Sequence, residues 1–174
     1  MTDRPTVGDH IILDGRERLR ILEKCLYDTT FFTDPASSRF HCNYEGGLKD
    51  HSYNVMYNLE NLTERLKLVW KDERSWEIVA LAHDVCKIGA YVPDGKGGYA
   101  KNPNQPKGHG DLSVARVKQW IELTEEEELC IRWHMGAYDD RANWNEYNKA
   151  LQKYPNVLWT HTADMMATHF DEVE

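Results

Sequence analysis

His83 and Asp84 stand side by side in the stretch Leu81-Ala82-His83-Asp84-Val85-Cys86-Lys87-Ile88-Gly89, whose other members are mostly apolar. Burying such a pair is costly unless a positive charge holds it, and a metal ion does this well. The doublet alone carries little weight, because His-Asp arises by chance in core helices. Four further positions offer inward-facing nitrogen or oxygen donors: His51, His109, His134 and Asp164. Each has a plainer reading by itself. His51 and His134 could be satisfied core histidines, His109 a cap or loop residue between glycines, and Asp164 a solvated acid. What binds them together is their distribution over separate predicted helices of one bundle, where inward side chains converge. Lys87 falls four residues after His83 and three after Asp84, so on a helix it shares their face. A carboxylate such as Asp84 or Asp50 is its plainer partner.

The elements that must position these residues are helical. Leu19, Ile21, Leu22, Cys25 and Leu26 recur at helical spacing and predict a helix from Arg16 to about Thr29. Asp34 followed by Pro35 offers a second helix start. The double glycine Gly46-Gly47 precedes the clearest helix, about 47–68, in which Leu48, His51, Val55, Leu59, Leu62 and Leu66 share one face. Residues 74–88 are apolar nearly all round, which predicts a central, buried helix. A long glycine-rich and proline-containing segment, 89–108, follows. Segments of that length inside a domain are functional or disordered, and a small hairpin around Asp94-Gly95 or Gly97-Gly98 fits its composition. Helices are expected from His109 to about Ile121 and, from a capping box at Thr124-Glu125-Glu126-Glu127, through His134 to Gly136. The last two run over about 143–153 and 155–169, separated at Tyr154-Pro155. The fold class is all-α, with residues 1–15 as an N-terminal arm and 16–174 as one domain.

Composition bounds the function. A net charge of −8 in 174 residues disfavours a broad nucleic-acid-binding surface, so no long nucleic acid is expected as a partner. No run of about 18 apolar residues exists, and the first residues lack a signal-peptide core, so a cytoplasmic protein without membrane partners is expected. Cys25, Cys42, Cys86 and Cys130 lack paired spacing and read as reduced thiols. Glu125–Glu128 reads as a solvated helix start. Neither the oligomeric state nor the pathway is legible.

The order His…His-Asp…His…His…Asp resembles the HD superfamily of metal-dependent phosphohydrolases. The resemblance rests on Gly46-Gly47-Leu48-Lys49-Asp50-His51-Ser52, His83-Asp84-Val85-Cys86-Lys87, Gly108-His109-Gly110-Asp111-Leu112-Ser113, Trp133-His134-Met135-Gly136 and His161-Thr162-Ala163-Asp164-Met165. It covers roughly residues 16–170 and is similar to small single-domain bacterial and phage members. The same glycine and His-Asp words occur in the HD domain of a bacterial 3′–5′ exoribonuclease family. The resemblance implies an HD-type helical bundle. It also implies His51, His83, Asp84 and Asp164 as ligands of a first metal ion, with His109 and His134 adding a second ion and Asp84 bridging the two. Cys86 departs from the HDxGK form common in the family, which has glycine there.

That ligand set suits Mn, Fe, Co, Ni or Zn better than Mg or Ca. The expected reaction is attack of a metal-bound hydroxide on the phosphorus of a phosphate ester, in a nucleotide or short oligonucleotide. Asp84 and Lys87 would carry catalysis, Lys87 also binding phosphate as a point charge. The 89–108 loop holds Lys96, Lys101 and Lys107 against Asp94, so Lys107 is a candidate for a phosphate rim. His41 is a candidate substrate contact because related domains carry a histidine there. His161 is a candidate neighbour of the site. Two alternatives keep the fold: a di-iron oxygenase, and a non-catalytic metal- or nucleotide-binding regulator.

Overall fold

The computed structural model describes residues 13–106 and 108–173. Most of the expected N-terminal arm, together with His10 and Lys107, lies outside the described residues. Asp14 opens the first helix, α1 (Gly15–Tyr27), by accepting the Glu17 N–H at 2.9 Å. Leu22 and Leu26, one turn apart, are its buried stripe.

Helix α2 (Gly47–Leu66) forms the spine and packs against α3 (Ser75–Ala82) and α7 (Asn156–Met166). Its first turn lies close to the preceding loop: a Cβ on Gly47 would stand 2.0 Å from the Cys42 carbonyl oxygen. Only glycine permits that approach, which fixes the 41–42 segment beside His51. Leu48, Val55 and Leu59 are fully buried on α2 and meet Ile78, Val79 and Ala82 of α3 in one core cluster. Burying each large aliphatic side chain contributes about 1.5–3 kcal/mol.

The chain then departs from a single helix over 74–88. Helix α3 stops at Ala82, and Val85–Lys87 forms a separate 3-10 turn. The carbonyls freed by the break are collected by one guanidinium: Arg116 Nη1 donates to the oxygens of Val85 and Ile88, each at 2.9 Å. The following segment contains the expected hairpin, β1 (Tyr91–Pro93) antiparallel to β2 (Tyr99–Lys101), in register Val92 to Ala100. Asp94 closes it by accepting the N–H groups of Lys96 and Gly98.

Helix α4 (His109–Val117) packs on α5 (Glu125–Arg132) so closely that a Cβ on Gly110 would stand 1.9 Å from the Arg132 carbonyl oxygen. The capping box at α5 is present in both directions, Glu127 N–H to Thr124 Oγ1 and Thr124 N–H to Glu127 Oε2. Helix α6 (Trp144–Lys153) leads to α7, whose chain continues as a wider π-helical turn, Ala167–Asp171. The architecture is a mostly helical bundle with one small two-stranded ribbon.

Two further expectations need correction. Asp34 does not cap a helix; its carboxylate accepts from the Thr30 hydroxyl and the Gly89 N–H, at 2.6 and 2.7 Å. Residues 33–42 instead fold back as a loop, held by Ala36 N–H on the Cys42 oxygen. The glutamate run is not solvated throughout. Glu126 and Glu127 are buried, because Arg18, Ser75, Lys71 N–H and Asn156 supply their donors.

Candidate metal centre

His83 and His134 reach the site by the same local device. Each lies just beyond a helix end, α3 and α5 respectively, and each Nδ1 lies 2.7 Å from the carbonyl oxygen three residues back, that of Ala80 or Ile131. A helix leaves its last carbonyls without partners, so these imidazoles find acceptors ready. A carbonyl can only accept, so Nδ1 carries a proton, and in the neutral imidazole Nε2 is the atom that presents a lone pair. His51, on the core face of α2, has its Nδ1 3.0 and 3.2 Å from the two Glu172 carboxylate oxygens, and its Nε2 is directed the same way as the other two.

The three Nε2 atoms converge. His51 and His83 bring theirs within 3.2 Å of each other, where two bare lone pairs repel unless a proton or metal cation sits between them. His51 Nε2 also lies 3.2 Å from Asp164 Oδ1 and 3.4 Å from Asp84 Oδ2, and His83 Nε2 lies 3.4 Å from Asp84 Oδ2. Ligands of one ion, each bonded at about 2.0–2.2 Å, stand about 3–3.6 Å apart, so these separations fit shared coordination. On the other side of the carboxylate, His134 Nε2 lies 3.5 Å from Asp84 Oδ1, and both atoms are buried without a hydrogen-bond partner among the described residues. Buried polar atoms left so are rare, and an ion is one of the few things that satisfies them. The donor set of imidazole and carboxylate therefore fits a divalent transition metal.

Protonation follows the same geometry. Burial works against charge on His51, but its bonds to Asp164, Asp84 and Glu172 outweigh it and raise its pKa well above the ordinary imidazole value. His134 is raised in the same sense by Asp84 against its burial. Burial pushes the Asp84 carboxyl up, yet the Lys87 ammonium and the imidazoles hold it well below the usual carboxylate range. Asp164 is lowered by His51 and its neighbours despite burial.

The structure thus brings His51, His83, Asp84, His134 and Asp164 together. His109, at the exposed start of α4, joins a neighbouring group in which donor atoms of Asp84, Cys86 and His109 lie within 4.8 Å of one another. Asp84 belongs to both sides. Lys87 is buried with its Nζ 2.7 Å from Asp84 Oδ2, the plainer of its two expected partners, and the intervening turn is 3-10 rather than α-helical. It also lines a cavity of about 460 Å³ with Tyr91, Lys101, Asn102, Gln105 and His109.

His41 lies elsewhere. Its ring sits 4.9 Å from the His51 ring, and it lines a second cavity of about 470 Å³ beside Arg39, Tyr44 and Asn54. Burial, and then the charge of His51, lower its pKa to about 4. His161 neighbours the site through Nδ1 on the His134 carbonyl oxygen at 2.8 Å, whereas His169 is exposed.

Sequence reasoning missed Glu172. It lies beyond the last expected helix and reaches His51 only because the π-helical turn swings the chain back. Asn54 donates to Glu172, and Asn58 donates to Asp171. No local pattern marks it.

A family model described as the HD domain matches residues 48–167, more than half of the chain. The match does not single out the exoribonuclease branch. No curated protein and no solved structure matches significantly. No helix of the described residues is long and apolar enough to cross a membrane.

Proposed function

The chain belongs to the HD-domain family of metal-dependent phosphohydrolases, and from that premise we propose that it hydrolyses a phosphate ester of a nucleotide or short oligonucleotide at a two-ion centre. The observation that carries this reading is the convergence of three buried Nε2 atoms on Asp84 and Asp164, with Asp84 Oδ1 and His134 Nε2 unpartnered. His51, His83, Asp84 and Asp164 would hold one ion, and Asp84, His109 and His134 the other.

Bound there, divalent ions lower the pKa of water to supply a nucleophile and offset charge on phosphoryl oxygens. The chain's own groups do the rest. Glu172 and the Ala80 and Ile131 carbonyls engage the Nδ1 atoms and so hold the ring directions that aim Nε2 inward. Lys87 keeps its proton: burial opposes the charge, but Asp84 outweighs it and raises the ammonium above its ordinary value. It is therefore a fixed positive charge on the wall of the 460 Å³ cavity, suited to a substrate phosphoryl oxygen.

Lys101 adds a second cation to that wall, and Tyr91 an aromatic face for a base or sugar. His41 would meet a part of the substrate that reaches the second cavity. A cytoplasmic setting and an action on small phosphorylated substrates belong to the same proposal. Turnover of a panel of nucleoside mono- and triphosphates, cyclic nucleotides and dinucleotides with Mn, Co or Ni tests it. Metal-dependent release of phosphate or nucleotide supports the reading; no hydrolysis with any metal refutes it.

A further inference from the structure

Cys86 touches the centre without a task in the reaction outlined above. Its side chain is buried, and its Sγ lies 3.5 Å from His109 Nδ1. Ligands of one tetrahedral ion, with sulfur bonded at about 2.3 Å and nitrogen at about 2.0–2.1 Å, stand close to that separation. The Asp84 carboxylate lies within 4.8 Å of both donor atoms.

The position is also held from two directions. The Cys86 N–H donates to Ser113 Oγ on α4 at 3.1 Å, and its carbonyl oxygen accepts from Gln105 Nε2 in the loop. The backbone that carries the thiol is therefore anchored beside Asp84 and His109, and Sγ is turned toward the His109 ring. The other thiols differ. Among the described residues, Cys25, Cys42 and Cys130 join no group of three metal-capable side chains.

We propose that Cys86 is a thiolate ligand of the ion held by Asp84 and His109, making that position a sulfur, nitrogen and oxygen site distinct from the His51–His83–Asp164 position. This rests on the two-ion reading above. On binding, the S–H bond breaks, its proton passes to solvent, and a metal–sulfur bond forms with no change of oxidation state. Thiolate selects borderline-soft ions, so this position takes zinc, cobalt or ferrous iron in preference to manganese or magnesium.

Cobalt titration of the full-length, reduced, metal-free protein under anaerobic conditions tests it, with bound cobalt counted by equilibrium dialysis. The expected result is a sulfur-to-cobalt charge-transfer band in the near ultraviolet that grows with one of two bound equivalents. It is lost in Cys86→Ser and Cys86→Ala and kept in Cys25→Ser and Cys130→Ser. Should the Cys86 variants not fold, a wild-type band that is kept in Cys25→Ser, Cys42→Ser and Cys130→Ser alike assigns the thiolate to Cys86, and loss of the band in any of the three overturns the proposal. Cobalt bound with visible ligand-field bands but no charge-transfer band overturns the thiolate and leaves the proposed function standing, as does a band that survives in Cys86→Ser. No cobalt bound at all overturns both.

Discussion

Two buried clusters of charge lie within this bundle, and they are settled in opposite ways. Arg18 meets Glu127 through two hydrogen bonds, at 2.6 and 3.0 Å, and donates also to the Glu122 carbonyl oxygen. Glu127 accepts further from Ser75 Oγ and the Thr124 N–H. Its two oxygens each have two donors, so the cluster is closed on itself and ties α1, α3 and α5 together. The histidine–aspartate cluster, equally buried, keeps three Nε2 atoms and two carboxylates facing one another with Asp84 Oδ1 and His134 Nε2 unpartnered. One cluster is stabilised by what the chain supplies. In the other, Lys87 reaches Asp84 Oδ2 but Asp84 Oδ1 and His134 Nε2 are left open, and that asymmetry separates a clamp from a candidate site.

Breaking the contrast at its functional end has the largest expected effect. Asp84→Asn should lower phosphohydrolase turnover on the order of 10⁴-fold while the far-ultraviolet circular dichroism stays helical, since removal of one member of a catalytic unit typically costs that much. Arg18→Ala attacks the closed cluster. It should cost about 3–5 kcal/mol of stability, because a buried carboxylate loses its partner, while the metal content of the remaining folded protein is unchanged. Thermal unfolding with metal analysis separates the two outcomes, and metal loss without destabilisation would contradict the division.

Glu172→Gln probes the orientation of His51. Weakening this carboxylate–histidine pair should reduce metal affinity by about 10–100-fold with melting of the metal-free protein little changed, as read by competition with a chromophoric chelator. The finest test is pH. His51 and His134 have raised folded values, so their contribution to the stability of the metal-free protein is complete below the ordinary imidazole pKa of about 6.5 and is lost as pH rises through the folded values. Metal must displace those protons. Its apparent affinity should therefore rise above pH 6.5 by about tenfold per pH unit for each proton released, until the folded values are passed. Calorimetric titration in buffers of different ionisation enthalpy measures the protons directly, and affinity that falls with pH would contradict the assignment.

Much of the site was legible because it lies on strong local patterns. His51 sits on a helical stripe, and the His83-Asp84 doublet interrupts an apolar one, so residue type and spacing marked them as inward-facing, while the resemblance to the HD family supplied the shared ligand set. Their local geometry was not legible. Periodicity over 74–88 continues through a break at Ala82, because the break is stabilised by Arg116 from α4, a contact remote in sequence. The same reason hid Glu172, delivered by a turn at the far end of the chain, and the burial of Glu127, whose partner Arg18 lies on α1. Asp34 looked like a cap from its neighbour Pro35, but the tertiary partner Gly89 N–H engages it instead. The capping box, complete within four residues, was readable in full, and the hairpin was readable as a turn around Asp94-Gly95 or Gly97-Gly98.

The most direct measurement is the number of ions bound by the metal-free protein against its rate of phosphate-ester hydrolysis, followed together in one cobalt titration by equilibrium dialysis. Two ions per chain, with hydrolysis appearing as the second binds, is the predicted result. No bound ion, or ions bound while no phosphate ester is turned over, would contradict it.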